Sequence, residues 1–378
     1  MSNEKKTFGQ KAIRYAGITV MCFVVLGIYG LVVLNTAVFS PMAKGIADYS
    51  FEDFYYQILA STEDEDTSRI VTIVDMTALH SRRDLAKAID EIAVLKPRSF
   101  GIDVVFEGLK EDTIGDMILA DVARRSHAVY SYKIIDNKNT TQHSFFVPDD
   151  SIREAFTNMP RNLYGGMKRS LPIGREQDGK MIPSFVKEVA DTYAGQETTP
   201  LAEKALPINF SPLHFEVVNY DKIMEHPELI TDRVVLLGAM KEENDMHYTP
   251  VGKIAGTELL AYAIETLLKQ NELIIVTGWP LWLISFLLVL LTVLVKKAYT
   301  DFAKSRPPIV KSILSLGLFS GLVVFFLVAI FVWVAFILFS QYNISLNLAP
   351  AIAATAFIFT ATELYDTIIN LSSKKKAS

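Results

Sequence analysis

Residues 69–106 read RIVTIVDMTALHSRRDLAKAIDEIAVLKPRSFGIDVVF. The opening RIVTIVD, Arg69 to Asp75, is a short β-branched run of the kind a buried strand requires. RDLAKAIDEIAVLK, Arg83 to Lys96, sets Leu85, Ile89, Ile92 and Leu95 on one face at helical spacing. SFGIDVVF, Ser99 to Phe106, returns to a strand pattern. Strand, helix and strand in this order predict right-handed crossover units on a largely parallel sheet covered by helices.

The alternation continues downstream. DTIGDMILADVARRS (Asp112 to Ser126) is helical and AVYSYKII (Ala128 to Ile135) is a strand. RVVLLGA (Arg233 to Ala239) is a strand that leads through a polar loop into the helix TELLAYAIETLLKQ (Thr257 to Gln270). Between Asn137 and Pro212 the Pro, Gly and Asn content predicts a loop-rich insertion around one helix, SFVKEVADTYAG, Ser184 to Gly195. The expected fold is an α/β domain with a mostly parallel sheet and flanking helices.

On either side of this domain the chain turns apolar. No charge occurs from Tyr15 to Ala43, which exceeds the roughly 20 residues a spanning helix needs. A cleaved signal peptide is the competing reading, but the apolar run is too long for one and no A-x-A-like site follows at Asn35 to Ser40. A second uncharged block runs from Leu273 to Val295, with Trp279 and Trp282 near its start as interfacial aromatics. No charge then appears between Lys311 and Glu363, a stretch more than twice one bilayer crossing, so it must fold back at the polar cluster Ser340 to Asn343 with Asn347 and Pro350. Four spanning helices are therefore expected, at 15–39, 273–295, 312–340 and 348–371. The remaining segments are an N-terminus (1–14), an outer domain (40–272), a basic loop (296–311), a short outer turn (341–347) and a tail (372–378).

The cations set the orientation. Lys5, Lys6, Lys11 and Arg14, then Lys296, Lys297, Lys304, Arg306 and Lys311, then Lys374, Lys375 and Lys376 all fall on one side of four spans. The positive-inside rule makes that side the cytoplasm, so both termini are cytoplasmic and the domain is extracytoplasmic, periplasmic in a bacterial inner membrane. Removing these cations and Glu4, Asp301, Glu363 and Asp366 from the totals of 37 and 42 leaves the outer part at about −13. Such a field repels anions, and nucleic acid is not an expected partner. The mean hydropathy of +0.26 with 50% hydrophobic residues is too apolar for an ordinary soluble enzyme. A single cysteine, Cys22, excludes a disulfide framework and a cysteine zinc site.

One N-terminal span, an external α/β domain and three closely spaced spans resemble the type-two CHASE sensory domain, the cyclases and histidine kinases associated sensory extracellular domain. The residues that carry the resemblance are VTIVD (Val71 to Asp75), FGIDVVF ending at Phe106, and VVLLGA with Asp245, Thr249, Pro250, Gly252, Gly256, Ala261 and Ala263 following Gly238. It covers about residues 40–370. The tryptophan- and proline-rich segment usual after the first strand is replaced by MTALHSRRD, Met76 to Asp84. Members typically continue into a cytoplasmic kinase or cyclase domain, whereas here SSKKKAS ends the chain at Ser378, so the resemblance implies signalling through a separate partner.

Asp75 ends the first strand and Asp103 lies near the end of the second, where parallel sheets place ligand-contacting groups. With Asp245 and His247 from the loop after Gly238, three strand ends form a candidate acidic cleft for a cation or a small cationic or polyhydroxy ligand. The alternative is that these aspartates cap helices and loop amides. Gly238, Thr249, Pro250, Gly252 and Gly256 read as turn chemistry positioning the following helix. No metal site, cofactor or catalytic motif is expected: there is no H-E-x-x-H, G-x-S-x-G or phosphate loop. Asn139 and Asn209 match the glycosylation pattern trivially. In the spans, Gly317 with Gly321 and Ala349 with Ala353 are candidates for close helix packing, within the chain or in a homo- or hetero-oligomer. Glu363 and Asp366 belong at the inner interface. The expected function is a membrane receptor subunit relaying a signal to a separate membrane or cytoplasmic protein; the alternative is a structural or docking subunit of an envelope complex, with an envelope hydrolase a distant third.

Overall fold

The computed structural model describes residues 8–34, 50–135, 140–147, 149, 151–159 and 166–377. Lys5, Lys6, Asn139 and the end of the first expected span, 35–39, lie outside the described residues. The chain divides into two compact units: Tyr56–Leu273, and Met1–Tyr55 together with Ile274–Ser378. In chain order, α1 (Phe8–Leu34) and α2 (Phe51–Thr62) precede β1 (Asp66–Asp75), α3 (Arg82–Val94), β2 (Ser99–Ile102), α4 (Thr113–Arg125) and β3 (Val129–Ile135). Then come β4 (Thr140–Gln142), β5 (Arg153–Phe156), β6 (Ser170–Pro172), β7 (Gly174–Gln177), β8 (Lys180–Pro183), α5 (Phe185–Ala194), β9 (Ala205–Pro207) and β10 (Leu213–Asn219). The first unit closes with β11 (Val234–Gly238), β12 (Met246–Thr249), β13 (Gly252–Ala255) and α6 (Gly256–Lys269).

Its main sheet has seven strands in the order β10-β1-β11-β2-β3-β4, with β5 also pairing β3. All pairings are parallel except β3 with β4. β11, late in the chain, inserts between the first two strands, and its five residues VVLLG are all buried, as a strand covered on both faces should be. On one face Val74, Val235, Leu237 and Ile102 join Ile89 and Ile92 of α3 and Leu119 of α4 in the core. On the other, a Cβ at Gly101 would lie 2.7 Å from Phe185 and 3.0 Å from Val189, which is how closely α5 approaches the sheet.

The helices start where their caps allow. Ser81 accepts from the Asp84 amide (3.0 Å) ahead of α3, and Asp112 from the Gly115 amide (3.0 Å) ahead of α4. The expected strand from Ser99 to Phe106 ends at Ile102, and Phe106 packs into the core from a loop. The expected insertion contains two antiparallel pairs, β6 with β9 and β7 with β8, around α5.

The second unit adds β14 (Ile274–Val276), α7 (Gly278–Lys304), α8 (Pro308–Leu314), α9 (Gly317–Tyr342), β15 (Ile344–Leu346), α10 (Ala349–Ala356) and α11 (Ile358–Ala377). α1, α7 and α9 are long and apolar enough to cross a membrane; α10 and α11 qualify only as a pair, bent by 61°. The bend falls at Phe357, two residues after Thr355, whose hydroxyl donates to the Ile352 carbonyl (2.7 Å). The expected span from Leu273 instead begins at Gly278, because Ile274–Val276 pair in parallel with Ile344–Leu346 in what was expected to be only a turn. Most of the expected basic loop is helical, since α7 runs on to Lys304 and α8 follows.

The buried contact of this unit brings Ile18 and Cys22 of α1 against Val289 and Val293 of α7 and Ala351, Ala354, Ile358 and Ala361. The close-packing alanines are thus Ala351 and Ala354, while Ala349 and Ala353 are half-buried. A Cβ added at Gly317 or Gly321 would meet nothing within 4 Å, so their face of α9 makes no close contact with the described residues. Arg14 grips Asp366 through Nη2, at 2.7 and 3.0 Å, and through Nε, at 3.2 Å, tying α1 to α11.

Candidate functional site

The strand ends of the parallel sheet carry the candidate residues. The ladder continues past β1 and β2, where the Met76 amide donates to the Gly238 carbonyl (3.0 Å) and the Asp103 amide to the Leu237 carbonyl (2.9 Å). Asp75 and Asp103 therefore flank the end of β11. Their carboxylates then take different roles.

Asp75 is spent on its own loop. Its Oδ1 accepts from the Thr77 amide (2.9 Å), the Thr77 hydroxyl (2.5 Å) and the Met240 amide (3.3 Å). Thr77 Oγ1 accepts in turn from the amides of Met240 (3.0 Å) and Lys241 (3.2 Å). This is the alternative reading of an aspartate after a strand: it pins the loop after β11.

Asp103 looks the other way. Its Oδ2 accepts from the hydroxyl of Thr257 (3.1 Å) at the start of α6. Burial, and then the like charge of Asp245, push its carboxyl up to about 6, against smaller opposite effects of the Thr257 hydrogen bond, Lys133 and His247. Thr257 gets this close because position 238 is glycine; a Cβ there would collide with the Thr257 side chain. A second glycine acts alike, since a Cβ at Gly256 would lie 2.5 Å from Asp245 Oδ2. The two glycines make room for the hydroxyl and the carboxylate that sit beside the sheet.

His247 comes from the hairpin of β12 and β13, where it pairs with Ile254. The hairpin turns through Pro250 and Val251, with Thr249 donating to the Gly252 carbonyl (2.8 Å) and Gly252 at φ +119°. Thr249 and Pro250 are buried, so the turn is anchored. His247 Nε2 lies 3.6 Å from Asp245 Oδ1, beyond hydrogen-bonding range, and is a buried nitrogen with no hydrogen-bond partner among the described residues. The structure thus gathers Asp103, Asp245 and His247 and leaves Asp75 outside the group.

Thr257 and Lys133 belong to this neighbourhood and were not among the expected residues. Thr257 had one usable signal, a polar residue directly after Gly256 at the head of an otherwise apolar helix. Lys133 had none, because an exposed lysine in a strand is ordinary. No group of three or more His, Cys, Asp or Glu side chains among the described residues is arranged to hold a metal ion.

A mixed α/β domain of this kind, in a chain with three helices apolar enough to span a bilayer and a fourth if the bent pair is one span, defines a membrane-associated α/β protein. The CHASE2 domain family matches residues 23–295, which include the whole α/β unit, and the chain belongs to that family; CHASE2 is a sensory domain. No curated protein and no solved structure matches the chain.

The raised Asp103 carboxyl sets a sign for pH dependence. The folded protein holds this proton where the unfolded chain has already released it, so the contribution to stability is full below about pH 4 and lost as pH rises through about 6. Asp103→Asn should remove that slope and stabilise the protein by about 1–2 kcal/mol at pH 7.5, read from urea midpoints at pH 4.5 and 7.5. An unchanged slope would show that Asp103 ionises normally.

Proposed function

We propose that this protein is a membrane-anchored sensory receptor subunit of a bacterial cytoplasmic membrane. Its α/β domain faces away from the cytoplasm and reports to a separate protein partner. The observation that carries the reading is membership of the CHASE2 family across the whole α/β unit. The sensing site in this reading is the group of Asp103, Asp245 and His247, which offers carboxylates and an unpartnered imidazole nitrogen at the strand ends. A small ligand with cationic or hydroxyl donors complements that set. No chemistry is assigned to the site, and the protein is read as a non-enzyme.

The topology in this reading counts the bent α10–α11 pair as the fourth span. Support comes from the Arg14–Asp366 pair, which brings the start of α1 beside α11, and from the cations Lys296, Lys297, Lys304 and Lys311 near the same end of the helices. One observation favours the docking-subunit alternative: the Gly317 and Gly321 face of α9 is unoccupied by described residues, which suits a partner helix.

Two measurements separate these readings. Calorimetric titration of the full chain in detergent with small amines, polyamines and polyols should give heat with at least one class, lost in Asp103→Ala and His247→Ala. No heat with any of them removes the sensing site and leaves the docking reading. For topology, Asp178→Cys in the β7–β8 turn should react with an impermeant maleimide in intact spheroplasts, and Ser305→Cys only after lysis. The reverse pattern would invert the proposed orientation.

A further inference from the structure

The helical unit carries an open pocket of about 320 Å³ near the start of α1. Arg14, Lys296, Lys297 and Lys304 line it, and no acid among the described residues does. The rest of its wall includes Ile18, Val293 and Ile358. Cations and apolar side chains share one pocket, and the balance of charge around it is uneven.

Among the described residues, two acids pair with cations of its wall. Asp366 holds Arg14 in the two-pronged contact described above. Asp301 pairs with Lys297 one turn away on α7, and Lys304 and Lys11 also lie within its electrostatic reach. Lys296 has no carboxylate partner among the described residues; its ammonium lies 5.8 Å from the centre of the Phe359 ring. The cavity is therefore surrounded by more positive charge than its neighbours offset. Holding several cations about one partly apolar space carries a repulsive cost that an anion would remove.

The order of residues along the helices says which kind of anion. On α1 the cation Arg14 precedes apolar Ile18 by one turn, and on α7 apolar Val293 precedes Lys296 and Lys297 by one turn. The two helices thus present an apolar layer on the side toward their spanning portions and a cationic layer beyond it. A free inorganic anion would use only the cations. An amphiphile uses both layers, with its phosphate among Arg14, Lys296 and Lys304 and its glycerol and upper chains against Ile18, Val293 and Ile358.

We propose that this cavity binds the phosphate headgroup of an anionic phospholipid from the leaflet on its side of the membrane. The proposal rests on reading α1 and α7 as spans but not on which face of the membrane is cytoplasmic. A bound phosphate would bridge α1 and α7 through charge-assisted contacts, adding to the Arg14–Asp366 ion pair between α1 and α11.

The test is native mass spectrometry of the full chain released from neutral detergent and titrated with phosphatidylglycerol, phosphatidylcholine or inorganic phosphate. Phosphatidylglycerol should bind preferentially with one saturable high-affinity site, and phosphatidylcholine about tenfold or more weakly. The double variant Lys296→Gln/Lys304→Gln should lose about tenfold in phosphatidylglycerol affinity. Lys180→Gln, in the other unit, should leave it unchanged. Equal binding of the two lipids, or an undiminished affinity in the double variant, would overturn the proposal. Inorganic phosphate that binds or competes as strongly as phosphatidylglycerol would overturn it in favour of a free-anion site. Should the double variant fail to fold, the comparison among the three wild-type titrations decides alone.

Discussion

The α/β unit depends on β11. This strand hydrogen-bonds β1 on one side and β2 on the other, so neither of the first two strands would have a partner at the centre of the sheet without it. Its side chains are buried on both faces, which obliges helices to cover both. It must also end in glycine, because the Thr257 side chain occupies the space where a Cβ at 238 would project. A single strand therefore fixes the sheet order, the two helical layers and the approach of the threonine that meets Asp103.

The site follows from that constraint. Parallel strands all end on one edge, which is why residues distant in the chain, Asp103 and Asp245, come close enough for one to raise the proton affinity of the other. The hairpin carrying His247 is held by a buried threonine-proline turn, so the imidazole is presented by a fixed element and not by a loose loop. A half-buried carboxyl with a raised proton affinity, near an imidazole nitrogen that has no hydrogen-bond partner among the described residues, is an arrangement that costs stability. Sites that respond to a ligand or to protons commonly carry such a cost.

Much of the fold was legible because its elements have strong periods. RIVTIVD, RDLAKAIDEIAVLK and TELLAYAIETLLKQ each lie where the sequence pattern predicts, since continuous apolar runs and 3.6-residue stripes survive tertiary context. β10 escapes the sequence pattern, because LHFEVVN has no unbroken apolar run, its alternation of buried and exposed residues breaks after Glu216, and its register with β1 is irregular between Thr67 and Thr72. The small pairs in the insertion are three or four residues long, too short for a period to show. In the helical unit apolar composition marks the candidate spans but not their breaks: nothing in the run from Ala349 onward announces a bend at Phe357, and Ile274–Val276 is as apolar as the helix it precedes. Of the candidate ligands, spacing could not separate Asp75 from Asp103. The deciding difference is a neighbour, Thr77, whose amide and hydroxyl claim the Asp75 carboxylate.

Asp103 and Asp245 are electrostatically coupled at the end of β11. A double-mutant cycle with Asp103→Asn and Asp245→Asn, measured by urea unfolding of the full chain at pH 7.5, tests this coupling. Because each substitution removes the same repulsion, the double variant should gain less than the sum of the single gains, by about 0.5–1 kcal/mol. Gains that add to within about 0.3 kcal/mol would mean that the two carboxylates do not share a site.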